Sequence, residues 1–531
     1  MNNTIIDPEE RNVYLVGGGI ASLSSAVYFI QEGHVPGKNI HIFEQLSVCG
    51  GSLDASGDAE IGFMSRGSRM FDMEAYDCTY DLLSRVPSAY HKNMTALDEF
   101  NKFNKETKFN RASLRLVGKD AEKIDVLSFE LSRGDRLALT NMMLQPESKL
   151  GKARVSDCFS EEFFHTNYWY MWATSFAFQP WHSAVEFKRY LHRFLHEFPH
   201  VTDMAGVRHS EYNQYDSIVV PIVKYLEDQG VNFNNNCEVT NLDIETVNDM
   251  KVVKKIYLNR NGKDETIAMD EKDLVLVTIG SMTAASSIGE MHKAGTVNRK
   301  DTDGAWKLWE NIAKGNPEFG NPSVFDNRID ESLWQSFTIT FKNDLFFKLM
   351  DEFCKGTGTE ITFKDSNWFT SIVLPMQPHF KNQPEGVQVA WGYSLHPDAE
   401  GNFIKKKMYD CTGEEILREI CYLLQFNDEV EDIIKSANCR TCIMPFITSQ
   451  FLTRTKGDRP DVVPETSKNL AFIGQFCEIP DDVVFTVDYS VRSSQMAVYK
   501  LLGLDYKVVT PIFKGENDIK ILLGALATML K

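Results

Sequence analysis

The stretch NVYLVGGGIASLSSAVYFIQEG, residues 12–33, constrains this chain more than any other. Val13 to Val16 reads as a short buried strand, and Gly17, Gly18 and Gly19 allow a sharp turn in which backbone can approach phosphate. A helix follows with small residues, Ala21, Ser22, Ser25 and Ala26, on the face that must lie against a sheet. Its first amides and its dipole suit a pyrophosphate. Ser22 stands where the third glycine of GxGxxG is usual, a change that helix packing tolerates. The next run, NIHIFEQ, predicts a second strand ending in Glu44, an acid placed to accept from both hydroxyls of an adenosine ribose. Strand, turn, helix, strand and terminal acid occur in order, so the opening residues are read as a dinucleotide site.

Three further segments favour FAD over NAD. VCGGSLDA brings a Gly-Gly turn directly after the ribose acid. DLVLVTIGSMT, residues 273–283, reads as a strand ending in glycine beside the cofactor. NLAFIGQFCEIPDDVVFTVDYSVRSSQMAV predicts a strand (470–473), a turn at Gly474 and a helix from about Tyr489 that closes over the flavin end. KGTGTE follows a charged, helix-like stretch and is read as a loop, so no second nucleotide domain for NAD(P)H is expected. The expected cofactor contacts are Gly17, Gly19, Ile20, Ala21, Glu44, Gln45, Ser52, Gly280, Ser281, Gly474 and Gln475.

These pieces lie far apart, so the fold class is α/β with a discontinuous, Rossmann-like FAD-binding domain (1–65, 205–290 and 460–505). A mixed α+β substrate domain or lid takes 66–204 and 291–459, and 506–531 forms a helical C-terminal region. Hydrophobic residues at 43% and charged ones at 24% are ordinary for a globular chain. A net charge of −18 disfavours a nucleic-acid partner, which requires a basic face. MNNTIIDPEE has neither the basic flank nor the apolar run of a secretory signal, no apolar run approaches the roughly 18 residues of a membrane span, and a cytoplasmic location is expected. Ten cysteines without a disulfide-like framework read as reduced thiols, and Cys439 and Cys442, a CxxC, as structural.

The segment 163–200 is dense in aromatics, which carry much buried area. Pro180 divides it, and His182, Glu186 and Tyr190 fall at i, i+4 and i+8 on the second half. Tyr190 is either a catalytic phenol or a core tyrosine bonded to backbone. His192 and His196 also lie at i, i+4, but without HExxH and a third ligand no metal site is expected. MPFITSQFLTRTKGDRP, 444–460, offers hydroxyl, amide and guanidinium groups that suit either a carboxylate or a solvent loop. The tail carries Ile519, Ile521, Leu522, Leu523, Leu526 and Leu530 at helical spacing with lysines nearby. Such a helix suits either a membrane surface or packing on the body or a second subunit.

Taken together, GGGIASLSSA, RGSRM, FAFQPWHSAVEFKRYLHRFLH, YNQYDSIVVPIVKYLE, TIGSMT, MPFITSQF and FIGQFCEIPDDVVFTVDYSVR resemble the oleate hydratases, formerly called myosin-cross-reactive antigens. The resemblance runs from about residue 11 to 505. It implies an FAD-dependent enzyme that adds water to the cis-9 double bond of oleic acid, giving 10-hydroxystearic acid without net redox change. The partners it implies are a free unsaturated fatty acid and water; it leaves both homodimer and monomer open. Arg66, Gly67 and Arg69 would wrap the flavin, Tyr190 would donate the proton, and Thr448 and Gln450, with Trp181, would meet the substrate. Many relatives read RGGRE where this chain has RGSRM, so their glutamate is replaced by Met70, which holds no proton. A helix running on from Met70 would set Glu74 one turn away, and water activation is expected to pass to Glu74, or to Asp72, Asp77 or the flavin. The rival readings are a redox flavoenzyme acting on lipids or amines, and a non-catalytic FAD- and fatty-acid-binding antigen.

Overall fold

A computed structural model describes residues 7–68, 70–109, 114–300, 302–355, 359–505 and 509–529. Arg69, Leu530 and residues 356–358 of the KGTGTE loop lie outside the described residues. Five parallel strands form the first sheet, in the order Leu470–Ile473, Leu274–Thr278, Val13–Val16, Ile40–Phe43, Asn232–Asn234. Numbered along the chain this is 5-4-1-2-3, the doubly wound order whose direction reverses beside the first strand. Val13–Val16 is buried along its whole length, as a central strand covered on both faces must be. The helix Ile20–Gln31 covers one face and packs on Val487–Leu502. The small residues permit that approach: Ser494 Oγ donates to Ala21 O at 2.6 Å across the two helices.

The long excursions between strands build the rest. One contributes the antiparallel sheet Cys237–Val247, Met250–Arg260, Lys263–Ala268. The others assemble an eight-stranded sheet centred on Trp334–Phe341 and its neighbours Gln388–Ser394 and Ala437–Met444. Phe337, Ile339 and Phe341 face a second core that includes Phe346, Ile416 and Ile420. Ser336, Thr338 and Thr340 occupy the opposite face, because side chains alternate along a strand. Their hydroxyls grip the backbone just ahead of the RGSRM motif. Thr340 Oγ1 accepts from Phe63 N at 2.9 Å, Thr338 Oγ1 from Ser65 N at 3.1 Å, and Ser336 Oγ donates to Arg66 O at 3.0 Å.

Placement within the two sheets differs from the sequence-based partition in two places. Val207–Arg208 pairs with Phe71–Asp72 rather than with the parallel sheet, and Ser287–Gly289 is an edge strand of the eight-stranded sheet. The C-terminal residues form the helix Ile519–Met529, seated by Ala525 and Met529 and exposing Ile519, Leu522, Leu523 and Leu526. Among the described residues no helix is long and apolar enough to cross a membrane.

Candidate active site

At the C-terminal ends of the parallel strands, where their order reverses, lies a crevice of about 1110 Å³. Gly17 sits at φ +94° with room for little more than hydrogen: a Cβ there would lie 3.1 Å from Thr278 Cβ. A Cβ on Gly18 would lie 2.7 Å from Glu44 Oε2. A Cβ on Gly19, which heads the helix, would meet nothing within 4 Å, so the crevice is open above the helix amides. Glu44 Oε2 accepts from Gly18 N at 2.6 Å and Oε1 from Leu46 N at 2.8 Å. Burial pushes this carboxyl up, and the two backbone donors oppose that. Ile20, Ala21, Gln45, Ser52, Gly280, Ser281, Gly474 and Gln475 also line the crevice, together with Thr278, Asp303 and Ser490, which the sequence reading did not single out. A cradle closed by missing Cβ atoms, with helix amides at one end and an acid at the other, fits a dinucleotide.

Ser52 borders both this crevice and a cavity of about 1080 Å³ on the eight-stranded sheet. Arg66 and Gly67 line that cavity rather than the crevice, and Arg66 Nε holds Asp54 Oδ1 at 2.6 Å. The cavity has a polar end made by His209, Asn213, Gln214 and His379. Burial lowers both histidines to about 4, so each is a neutral donor or acceptor. Gln214 Nε2 donates to Gly67 O, and its Oε1 has no partner among the described residues. A second cavity of about 880 Å³ adjoins the first; Ser68, Met70, Ser175, Met204 and Phe485 border both.

Tyr190 lies on the wall of the second cavity with Trp172, Phe176 and Phe194. Its helix, Ala184–Arg193, is capped by Ser183, so His182 precedes the helix rather than sharing its face. The phenol O–H donates to Val484 O at 2.6 Å. Glu186 points into a buried ionic cluster: Oε1 lies 3.0 Å from Arg454 and 3.1 Å from Arg459, while Glu478 pairs with Arg189 and Arg454 at 2.9 Å. Burial would raise the Glu186 carboxyl, but Arg459 and Arg454 hold it at about 2. The guanidinium groups of 444–460 are thus spent on structure, not on a ligand.

Several expected site residues stand elsewhere. The backbone after Met70 forms the strand Phe71–Asp72 and a turn, with the next helix starting only at Asp77, so Glu74 does not stack one turn beyond Met70. Glu74 is exposed and borders neither cavity. Asp72 does border the second cavity. Thr448 Oγ1 donates to Ser332 O at 3.0 Å, and Gln450 is wholly buried with Nε2 on Ile447 O; neither reaches a cavity wall. The Trp181 indole donates to Glu331 O at 2.8 Å, likewise away from both cavities. Cys439 and Cys442 lie on a strand facing different cores, Cys442 at 3.8 Å from Arg66 Nη1. No metal ligands were expected, yet Asp72, His196 and Glu197 come together at the second cavity, and His91, Glu99 and Glu211 in a separate group.

The sequence reading missed the polar end at His209, Asn213, Gln214 and His379, and missed Glu197. Asn213 and His379 are 166 residues apart in the chain, and His196, beside Glu197, is 124 from Asp72, so no local pattern joins them.

A doubly wound sheet with a phosphate cradle, opening onto a deep cavity over a second sheet, defines a dinucleotide-binding fold. Cyclohexylamine oxidase from Brevibacterium oxydans shares that fold, with a TM-score of 0.53 at 13% identity over 93% of this chain and 99% of that one. The chain belongs to the MCRA family, whose profile matches residues 10–499. It is 37% identical to an oleate hydratase of Streptococcus pyogenes, covering 97% of this chain and 89% of that protein. It is 32% identical to a linoleate hydratase of Lactiplantibacillus plantarum, covering 97% and 98%.

Proposed function

We propose that this protein is an FAD-dependent fatty acid hydratase that adds water to an isolated cis double bond, as in oleic acid, to give a hydroxy fatty acid. The observation that carries this reading is the union of a dinucleotide crevice with two joined cavities whose apolar wall presents a phenol at Tyr190. Gly17, Gly18 and Gly19 with the helix amides would hold the FAD pyrophosphate, Glu44 the adenosine ribose, and the turn at Ser52 the approach to the flavin. Bound FAD would supply an aromatic, charge-bearing ring system.

The polar end of that cavity is suited to hold a fatty-acid carboxylate. Gln214 Nε2 and the two neutral histidines can offer N–H groups there, and Arg66, held on Asp54, lines the same cavity. The chain then runs past Met70, whose flexible apolar side chain bridges the two cavities. In the second cavity Tyr190 holds a proton on a phenol walled by Phe176, Phe178 and Phe451, where little water competes for it. Protonating one alkene carbon leaves positive charge on the other, and water attacks there; aromatic walls stabilise that charge through their faces. Tyr190 must release Val484 O to deliver the proton.

The exposed Ile519, Leu522, Leu523 and Leu526 of the C-terminal helix support peripheral contact with a membrane, where fatty acids partition. Ten free cysteines are consistent with a cytoplasmic protein. The decisive experiment incubates the FAD-loaded protein with oleate under nitrogen and weighs the product. Hydration gives a product heavier by one water with no acceptor consumed. A product lighter by two hydrogens replaces this reading with a redox one, and an unaltered fatty acid replaces it with simple binding.

A further inference from the structure

The acid missing at Met70 leaves the water without a base, and the second cavity contains a candidate outside the RGSRM motif. Asp72 belongs to the strand after Met70, while His196 and Glu197 belong to the turn Leu195–His200, directly after the Tyr190 helix. Asp72 and Glu197 both border the cavity that Tyr190 and Met70 border. The Asp72 carboxylate is held as an acceptor: Oδ1 takes Glu74 N at 2.8 Å and Ala75 N at 2.6 Å, and Oδ2 lies 2.9 Å from His196 Nε2. Glu197 Oε1 lies 3.6 Å from the same nitrogen. Gly206 is what admits the Glu197 carboxyl, since a Cβ there would come within 1.9 Å of Oε1.

We propose that the Asp72–Glu197 carboxyl pair, braced by His196, accepts the proton of the attacking water. The assignment rests on the hydratase reading above. Two carboxyls this close in a half-closed site share one proton, because a second negative charge would be repelled by the first. Burial and the neighbouring Asp72 push the Glu197 carboxyl up to about 7, with Asp203 adding in the same direction and His196 opposing. Other charged groups face the pair: His200, 3.6 Å from Asp203, and Arg115, paired with Glu360 at 3.2 Å, on the same cavity wall, and Glu74 beside His196. Glu197 therefore takes up a proton near neutral pH, and its ionised form beside Asp72 is the base.

The proton count closes. Tyr190 gives H⁺ to one alkene carbon, the water oxygen bonds the other, and the excess proton on that oxygen passes to the pair. Return of that proton to the Tyr190 oxygen through cavity water restores the site, with no electron transferred. His196 is a positioning residue that keeps Asp72 aimed.

The test compares FAD-loaded wild type, Glu197→Gln, Asp72→Asn and Glu74→Gln with oleate, measuring kcat, KM and the pH profile. Loss of a general base costs about 10²–10⁴-fold. Glu197→Gln and Asp72→Asn are expected to lose kcat on that scale with little change in KM or flavin spectrum, and Glu74→Gln to keep it. The acidic limb of the wild-type profile, near 7, is expected to vanish in Glu197→Gln and to shift in His196→Gln. Infrared difference spectra of wild type minus Glu197→Gln are expected to contain a protonated carboxyl band that titrates near the same pH. Asp72→Asn minus wild type serves in its place if Glu197→Gln does not accumulate. Wild-type kcat in Glu197→Gln, absence of the band, or a stoichiometric metal held by the trio overturns the assignment alone. No hydration by the wild type overturns the hydratase reading and the assignment with it.

Discussion

The nucleotide crevice and the paired cavities are built by opposite strategies. Five residues in a row, Gly17 to Ala21, make one wall of the crevice, and Glu44 completes it 26 residues from Gly18. The cavities take their walls from segments as distant as Met70, Tyr190, His379 and Phe485. A phosphate cradle requires backbone in a particular conformation, and local sequence sets local conformation. A tunnel for an acyl chain requires only apolar walls and a few polar groups at chosen depths, so any segment of the fold can supply each one. The crevice can therefore be damaged by one added methyl group, whereas the cavities depend on what holds distant segments in register.

The ionic cluster behind the Tyr190 helix is the strongest lever on that register. Glu186→Leu leaves Arg459 without its 3.1 Å partner and Arg454 with Glu478 alone, and is expected to cost on the order of 3–5 kcal/mol in denaturant unfolding. The Glu186 carboxyl titrates lower in the folded chain, at about 2, than its ordinary value of 4.5. Its contribution is thus complete above the ordinary value and disappears as pH falls toward the lower one, so the gap between variant and wild type should narrow over that range.

Gly18→Val tests the crevice. Its Cβ would collide with Glu44 Oε2 and, at 2.8 Å, with Cys49 Sγ. FAD affinity, followed by flavin absorbance, should fall about 100-fold, or roughly 3 kcal/mol, with the cavities intact. Tyr190→Phe should do the reverse, leaving FAD affinity within about twofold while kcat drops on the order of 100-fold, read by product mass. Comparable losses of FAD in both variants would erase the distinction between the two regions. A smaller effect concerns Glu197→Gln. The native carboxyl titrates higher when folded, so it favours folding fully only below its ordinary value and loses that contribution as pH rises through about 7. The variant should match wild type in acid and exceed it by about 1–2 kcal/mol above neutrality in thermal unfolding. Glu74→Gln, on an exposed side chain, should change neither turnover nor stability measurably.

What was legible in the sequence follows the same division. The strand, turn and helix at 13–31 and the acid at 44 stand where local patterning put them, as does the turn at Gly474. The family resemblance led to Tyr190 on the cavity wall, although spacing alone left it equally a core tyrosine. Glu74 failed because helical spacing was assumed where Phe71–Asp72 pairs with Val207–Arg208, a contact between segments more than a hundred residues apart. Thr448 and Gln450 stand away from both cavities for a related reason: both are polar, but both are buried and their groups satisfy Ser332 and Ile447. Polarity in a sequence does not reveal which partner will satisfy it.

The most direct measurement is a crystal structure of the FAD-loaded protein with oleate bound. The olefin should lie beside Met70, with the Tyr190 oxygen on one side, a water held by Asp72 or Glu197 on the other, and the carboxylate among Asn213, Gln214 and His379. An acyl chain confined to the first cavity, with its double bond out of reach of Tyr190, would contradict the account.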